Sequence, residues 1–345
     1  MIDQAGPVGS SGGEIQIQPN RISKIRSTGT ASGVSVSPQN TTETPSRGPE
    51  NQPRPLLFAE LCAGTAALSL RLAGGPRARP PVSRMGSKVG YGEAILRIMG
   101  LQSGIGADRF LWCDPDPGVR LLLSAYRDRD LARKAARCIL AWKDEEPRAL
   151  WERLKAEGPA RISDELPERE IARWARIVTS NRLITVSAET WENTGEGGST
   201  FGGESFCTPC PDLYNAFSKL PGPIPAVILP GAVYPAPRFP EGRRVVVYID
   251  PPYVGTTGYG HNLGRAEVIK LARAWYDAGA AVYISEAEPI EIPGWEAVDI
   301  TGERKGQKRT FSKQQREYVT CSHAPHWRPS VQSDLFSGPL FSGPS

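Results

Sequence analysis

No run of apolar residues in the chain is long enough to cross a membrane, so a helical membrane span is excluded. Its first residues, Met1-Ile2-Asp3-Gln4, lack the basic-then-apolar pattern of a secretory signal. Cysteine is sparse: six in 345 residues, scattered without the spacing of a disulfide framework. Cys207 and Cys210 form a lone CxxC, and without a second pair the case for zinc is weak; no metal is expected. Excess charge of one sign is also missing. A net +4 permits a nucleic-acid partner without demanding one. Apolar residues make up only 39 %, low for a compact protein, so part of the chain is expected to remain unpacked. A soluble protein of a reducing cytoplasm is the default that these absences leave.

The unpacked parts are expected at the two ends. Residues 1–53 are rich in Ser, Thr, Gly, Pro, Asn and Gln and carry few large apolar side chains, so they bury too little surface to offset their ordering entropy. Residues 325–345 have a similar composition.

Between the ends, the chain is organised around Val245-Val246-Val247-Tyr248-Ile249-Asp250-Pro251-Pro252-Tyr253. The β-branched run predicts a strand buried on both faces, as in a parallel sheet. Pro251 and Pro252 cannot donate to a sheet ladder, so the strand must stop there. Ligands of open α/β sheets bind outside the carboxyl ends of strands, which is where Asp250 and Tyr253 fall. The Asp250 carboxylate accepts hydrogen bonds, and the carbonyl of Pro251 is held in one direction by the ring. Two rigid acceptors side by side can grip an exocyclic amino group, while Tyr253 offers a flat face for a planar base. Together they suit a flipped-out nucleobase whose amino nitrogen is the nucleophile.

A second strand–turn–helix pattern starts the ordered part. Leu56-Leu57-Phe58-Ala59-Glu60-Leu61 is a short apolar run, followed by the small-residue stretch Cys62-Ala63-Gly64-Thr65-Ala66-Ala67 and a helical pattern through Leu68, Leu70 and Leu72. Small residues let backbone approach a cofactor closely. Phe110-Leu111-Trp112-Cys113 is a further apolar strand that ends in Asp114. An acid there can accept from both hydroxyls of a ribose; Asp114 or Asp116 can also cap the helix that follows, and the two roles are compatible.

With these residues the chain resembles the S-adenosylmethionine-dependent amino-methyltransferases, most closely the Dam-like DNA adenine N6-methyltransferases. Asp250–Tyr253 is similar to their DPPY motif. The resemblance implies a Rossmann-like, doubly wound, mostly parallel α/β sheet of the class I methyltransferase kind with a helical insertion. It implies catalytic roles for Asp250, Pro251, Pro252 and Tyr253, and cofactor contacts from Glu60, Cys62, Gly64, Lys88 and Asp114. The family's glycine motif reads FxGxG after an acidic residue; here Cys62 stands for the Phe and Ala66 for the second Gly. The family's GSK or GGK element resembles Gly86-Ser87-Lys88, but it normally precedes the glycine strand, and here it follows. That departure implies a rearranged order of cofactor elements.

The implied organisation is a cofactor-binding half at 54–127, an insertion for target recognition at 128–222 and a catalytic half at 223–324. Apolar residues at helical intervals (Ile139, Trp142, Leu150, Ile171, Trp174) make the insertion helical, and Gly-rich 194–210 reads as a lid or DNA-contacting loop. The double-stranded DNA that the resemblance implies would find phosphate partners in a basic cluster that includes Lys305, Lys308 and Arg309; a solvated loop is the other reading. The family also ends with a Glu-led strand, as in Arg316-Glu317-Tyr318-Val319. In the tail, Gln332, Leu335 and Phe336 are similar to the QxxLF peptides that bind the bacterial replication sliding clamp. A monomer in the cytoplasm of a bacterium or a phage-infected host is expected. The nearest alternatives are cytosine N4 in DNA, a guanine amino group in RNA, or a DNA-binding relative without activity.

Overall fold

A computed structural model of the chain describes residues 55–82, 86–158, 162, 165–180, 201, 203, 207–231, 242–253, 263–305 and 316–329. Among the described residues seven strands form one sheet: β1 Leu56–Leu61, β2 Arg109–Cys113, β3 Ala226–Leu229, β4 Arg244–Ile249, β5 Ala281–Glu286, β6 Glu296–Asp299 and β7 Tyr318–Cys321. Their spatial order is β3-β2-β1-β4-β5-β7-β6. β1 through β5 pair in parallel, whereas β7 runs antiparallel to both its neighbours. The order reverses at β1 and β4, and such a reversal opens a crevice at the carboxyl ends of the strands. The expected α/β class and mostly parallel sheet are therefore present.

The parallel strands read as continuous apolar runs because both faces are covered. Alternate residues point to opposite sides. Leu56, Phe58, Phe110, Trp112, Val246 and Tyr248 belong to one core, and Leu57, Ala59, Leu61, Val245, Val247 and Ile249 to the other. The first core is covered by α1 Ala67–Gly74, α2 Gly92–Ile98, α3 Pro117–Arg127 and the helices beyond it. The second is covered by α8 Arg265–Asp277, through Val268, Leu271, Ala272 and Trp275.

Between β2 and β3 lie α4 Arg129–Ala141, α5 Pro147–Ala156, α6 Pro167–Val178 and α7 Cys210–Ser218. The segment between these strands is thus helical where it is described, and α6 packs against both α3 and α4. The approach to α3 is close: a methyl group on Gly118 would lie 1.9 Å from Nε1 of Trp174. Among the described residues no helix is long and apolar enough to cross a membrane. The two end segments read as unpacked, and the clamp-like Gln332, Leu335 and Phe336, lie outside the described residues, apart from 325–329.

Candidate active site

Two turns at the carboxyl edge of the sheet start the site. After β1 the backbone enters the left-handed region three times, at Cys62 (φ 54°), Gly64 (φ 51°) and Ala66 (φ 46°). The turn is pinned to β2: the Ala63 N–H donates to the Cys113 carbonyl, and the Gly64 N–H donates to Asp114 Oδ2 at 2.8 Å. Asp114 Oδ1 also accepts from the Asp116 N–H, and Asp116 in turn caps α3 through the Gly118 N–H. Of the two roles weighed for these acids, the cap falls to Asp116, while Asp114 braces the β1 turn against the end of β2. A side chain on Gly64 would have open space beside it, with only the Cys62 carbonyl within 4 Å, at 3.9 Å.

Glu60, the acid before that turn, is 3 % exposed. Its Oε2 accepts from the backbone N–H and the hydroxyl of Ser69 on α1, and Ser69 Oγ accepts from the Trp112 indole. Burial pushes the Glu60 carboxyl up to about 7, with the Ser69 bonds opposing. Its visible work is to fasten α1 beneath the turn. Burial, then the neighbouring carboxylates Asp114 and Asp250, push the Cys62 thiol up, so it is a poor nucleophile.

The second turn follows β4. The Asp250 N–H donates to the Leu61 carbonyl, which sets the Asp-Pro-Pro-Tyr corner directly beside the β1 turn. Lys88, in a short 3-10 turn at Lys88–Gly90, points into the same place. Its Nζ lies 2.7 Å from Asp250 Oδ1, 3.8 Å from Glu317 Oε1 and 4.6 Å from the centroid of the Tyr253 ring. Ser87, just before it, bonds Thr65 of the β1 turn at 3.0 Å. The Gly86-Ser87-Lys88 element therefore joins the β1 turn to the β4 corner, although it follows β1 in sequence.

Glu317 is the member that has no assigned role in the pattern of motifs. It directly precedes β7. Because β7 runs against the other strands, its beginning lies at the edge where they end. Glu317 Oε1 accepts from the Tyr253 hydroxyl at 2.6 Å. Burial raises the affinity of both Asp250 and Glu317 for protons, and in both the Lys88 ammonium opposes it. The Tyr253 hydroxyl is pushed well up by burial and by these carboxylates, so it stays protonated and acts as a donor. The sequence signal for Glu317 is an acid at the start of an apolar strand, but its partners are legible only once the strand direction is known.

No family model matches the chain, and no curated protein matches it. What the site can do therefore rests on its geometry. Two carboxylates, one ammonium and one phenol meet at the switch point of the sheet, beside a turn of small residues. The side chain of Asp250 is 20 % exposed, while that of Lys88 is 5 % exposed. The Tyr253 ring is 8 % exposed and carries Lys88 near one face. The expected stacking surface is thus covered by a cation in this state.

Of the expected phosphate contacts, Lys305 is exposed, and its backbone N–H donates to the Gly90 carbonyl beside the Lys88 turn. Lys308 and Arg309 fall outside the described residues, as does the Gly-rich stretch except for 201, 203 and 207–210. Cys207 and Cys210 are both free thiols, and among the described residues no group of His, Cys, Asp and Glu could hold a metal ion.

Proposed function

We propose that the protein transfers a methyl group from S-adenosylmethionine to the N6 amino group of adenine in DNA, on a sheet of the class I methyltransferase kind. The observation that carries this reading is the juxtaposition of Asp250 and Tyr253 with the β1 turn and the Lys88 ammonium. Proteins that grip an amino group and a sulfonium need acceptors next to a close-approach turn, and the residues fit that demand. Asp250 and Glu317 with Lys88 leave an excess of negative charge in a desolvated site, which suits a cationic cofactor. The open space over Gly64 and the Asp114 carboxylate beside it suit a ribose.

Bound S-adenosylmethionine supplies an electrophilic methyl group on sulfur. The chain supplies position and field. Asp250 and the Pro251 carbonyl accept from the two N–H bonds of the amino group and turn its nitrogen toward the methyl. The raised proton affinity of Asp250 suits its carboxylate to take the proton that the nitrogen sheds. Tyr253 supports the base by stacking, and for that the Lys88 ammonium gives up its place over the ring. Glu317 Oε1 is the acceptor next to it. The exposed Lys305, whose backbone is tied beside the Lys88 turn, is the residue that would meet a phosphate of the flanking strand.

The test is transfer from labelled S-adenosylmethionine to unmethylated double-stranded DNA, with nucleoside analysis and an Asp250→Ala control. N6-methyladenine that vanishes in the variant supports the reading. Cofactor binding without transfer to DNA moves the substrate to an RNA base or another amine, and label on cytosine moves it to N4. The clamp reading of Gln332, Leu335 and Phe336 is tested separately: a Leu335→Ala/Phe336→Ala variant that still binds purified sliding clamp as tightly as the intact chain removes it.

A further inference from the structure

Glu317 needs an explanation of its own. It is 3 % exposed, and a buried carboxylate is costly unless its oxygens are bonded. Its backbone is fixed on both sides: the Glu317 N–H donates to Thr301 Oγ1, and the Glu317 carbonyl accepts from the Ile300 N–H. Ser285 of β5, whose hydroxyl accepts from the buried Tyr248 hydroxyl on β4, opposes the rise in the proton affinity of the Glu317 carboxyl. A carboxylate anchored this firmly bonds the Tyr253 hydroxyl at 2.6 Å and stands 3.8 Å from the Lys88 ammonium. Tyr253 follows two prolines, and from 254 to 262 the chain lies outside the described residues. Its hydroxyl bond ties the far end of the ring to the strand edge.

We propose that Glu317 is a positioning residue for the base pocket: from the start of β7 it fixes the long axis of the Tyr253 ring and offers the Lys88 ammonium a second acceptor when a base enters. The inference rests on the methyl-transfer reading and deepens it. A phenol held at its hydroxyl cannot swing its long axis about the first side-chain torsion, and packing around a side chain only 8 % exposed limits the turn about the second, so the stacking face is preorganised before the base arrives. Lys88 needs to move by only about an ångström toward Glu317 to reach hydrogen-bond distance. The charge that leaves the ring face is thereby kept inside the site instead of being stranded.

The experiment compares Glu317→Ala, Glu317→Gln, Tyr253→Phe and the Glu317→Ala/Tyr253→Phe double variant in the full chain. Methyl transfer to unmethylated DNA and calorimetric binding of S-adenosylhomocysteine are measured for each. Glu317→Ala is expected to lower kcat and raise KM for DNA, with kcat/KM down on the order of 10- to 100-fold, the scale of a lost bond to a buried charge. Affinity for S-adenosylhomocysteine is expected to stay within about twofold, because the β1 turn and Asp114 are left intact; a protein that binds it so is folded. Glu317→Gln keeps an acceptor for the Tyr253 hydroxyl and is expected to recover much of the loss. Tyr253→Phe removes the same bond, so the double variant is expected to be little worse than the worse single one.

Wild-type transfer with an undiminished Glu317→Ala overturns this inference alone, as do losses that multiply in the double variant. Loss of S-adenosylhomocysteine binding in both Glu317 variants also overturns it, since Glu317 then serves the fold. A wild-type chain that methylates no adenine removes the reading beneath, and the inference with it.

Discussion

Single ionisable groups carry the sharpest consequences. Asp250 must be ionised to accept from an amino group, and burial raises its proton affinity while Lys88 lowers it. Activity is therefore expected to fall on acidification above the ordinary carboxylate range, as pH passes down through the raised folded value. Lys88→Met removes the opposing charge, so the acid limb of kcat/KM is expected to move to still higher pH. A limb that moves down, or stays, in that variant would show that the ammonium does not act on Asp250. Glu60 makes a stability statement instead. Its folded value of about 7 lies above the unfolded 4.5, so the folded state holds the proton more tightly. The associated stability is fully present below 4.5 and is lost as pH rises through 7. The span is worth at most on the order of 3 kcal/mol. Glu60→Gln still accepts from Ser69 and cannot ionise. Urea unfolding at pH 5 and pH 8 is expected to show the variant gaining on wild type at the higher pH; equal differences at both would refute the assignment.

At the scale of elements, what decides the architecture is how closely α3 meets α6. Gly118 stands where a methyl group would collide with the Trp174 indole, itself 1 % exposed and flanked by packed helices. Gly118→Ala must push α6 away or bend the start of α3. The expected cost is at least about 3 kcal/mol, read as a lower urea midpoint. An unchanged midpoint would mean that the insertion is loosely docked. Elements were legible in the sequence to the degree that their neighbours impose a pattern. β1, β3 and β7 fall where the apolar runs predict them, and β4 and β5 differ by a residue, since strands covered on both faces must be apolar throughout. β6 was not legible: of Glu296–Asp299 only Val298 is buried, so it carries neither a run nor an alternation. The corner at Asp250–Tyr253 was legible because it is local, four consecutive residues at one strand end. The tie from Glu317 was not, because it depends on β7 running backwards, and strand direction leaves no mark in an apolar tetrapeptide.

For the whole molecule, the parallel strands deliver two turns to one edge and β7 returns a third group to it. A ligand lodged there would bridge β1, β2 and β4, which bear both cores. It would then stabilise the sheet as a unit rather than one loop. S-adenosylhomocysteine, at about 100 times its Kd, is expected to add about 2.7 kcal/mol, seen as a rise in the midpoint of thermal unfolding. Asp114→Asn separates this linkage from the general stability of the fold. The amide keeps one acceptor for the Gly64 N–H or the Asp116 N–H, but not both, and its NH2, a donor, cannot accept from ribose hydroxyls as the carboxylate would. The variant is expected to bind at least roughly tenfold more weakly, a loss of 1.4 kcal/mol or more in binding, and to show a correspondingly smaller thermal rise at the same ligand concentration. A wild-type midpoint that ignores S-adenosylhomocysteine would refute the cofactor assignment at the β1 turn. A full rise in Asp114→Asn would leave the cofactor in place and move its ribose away from β2.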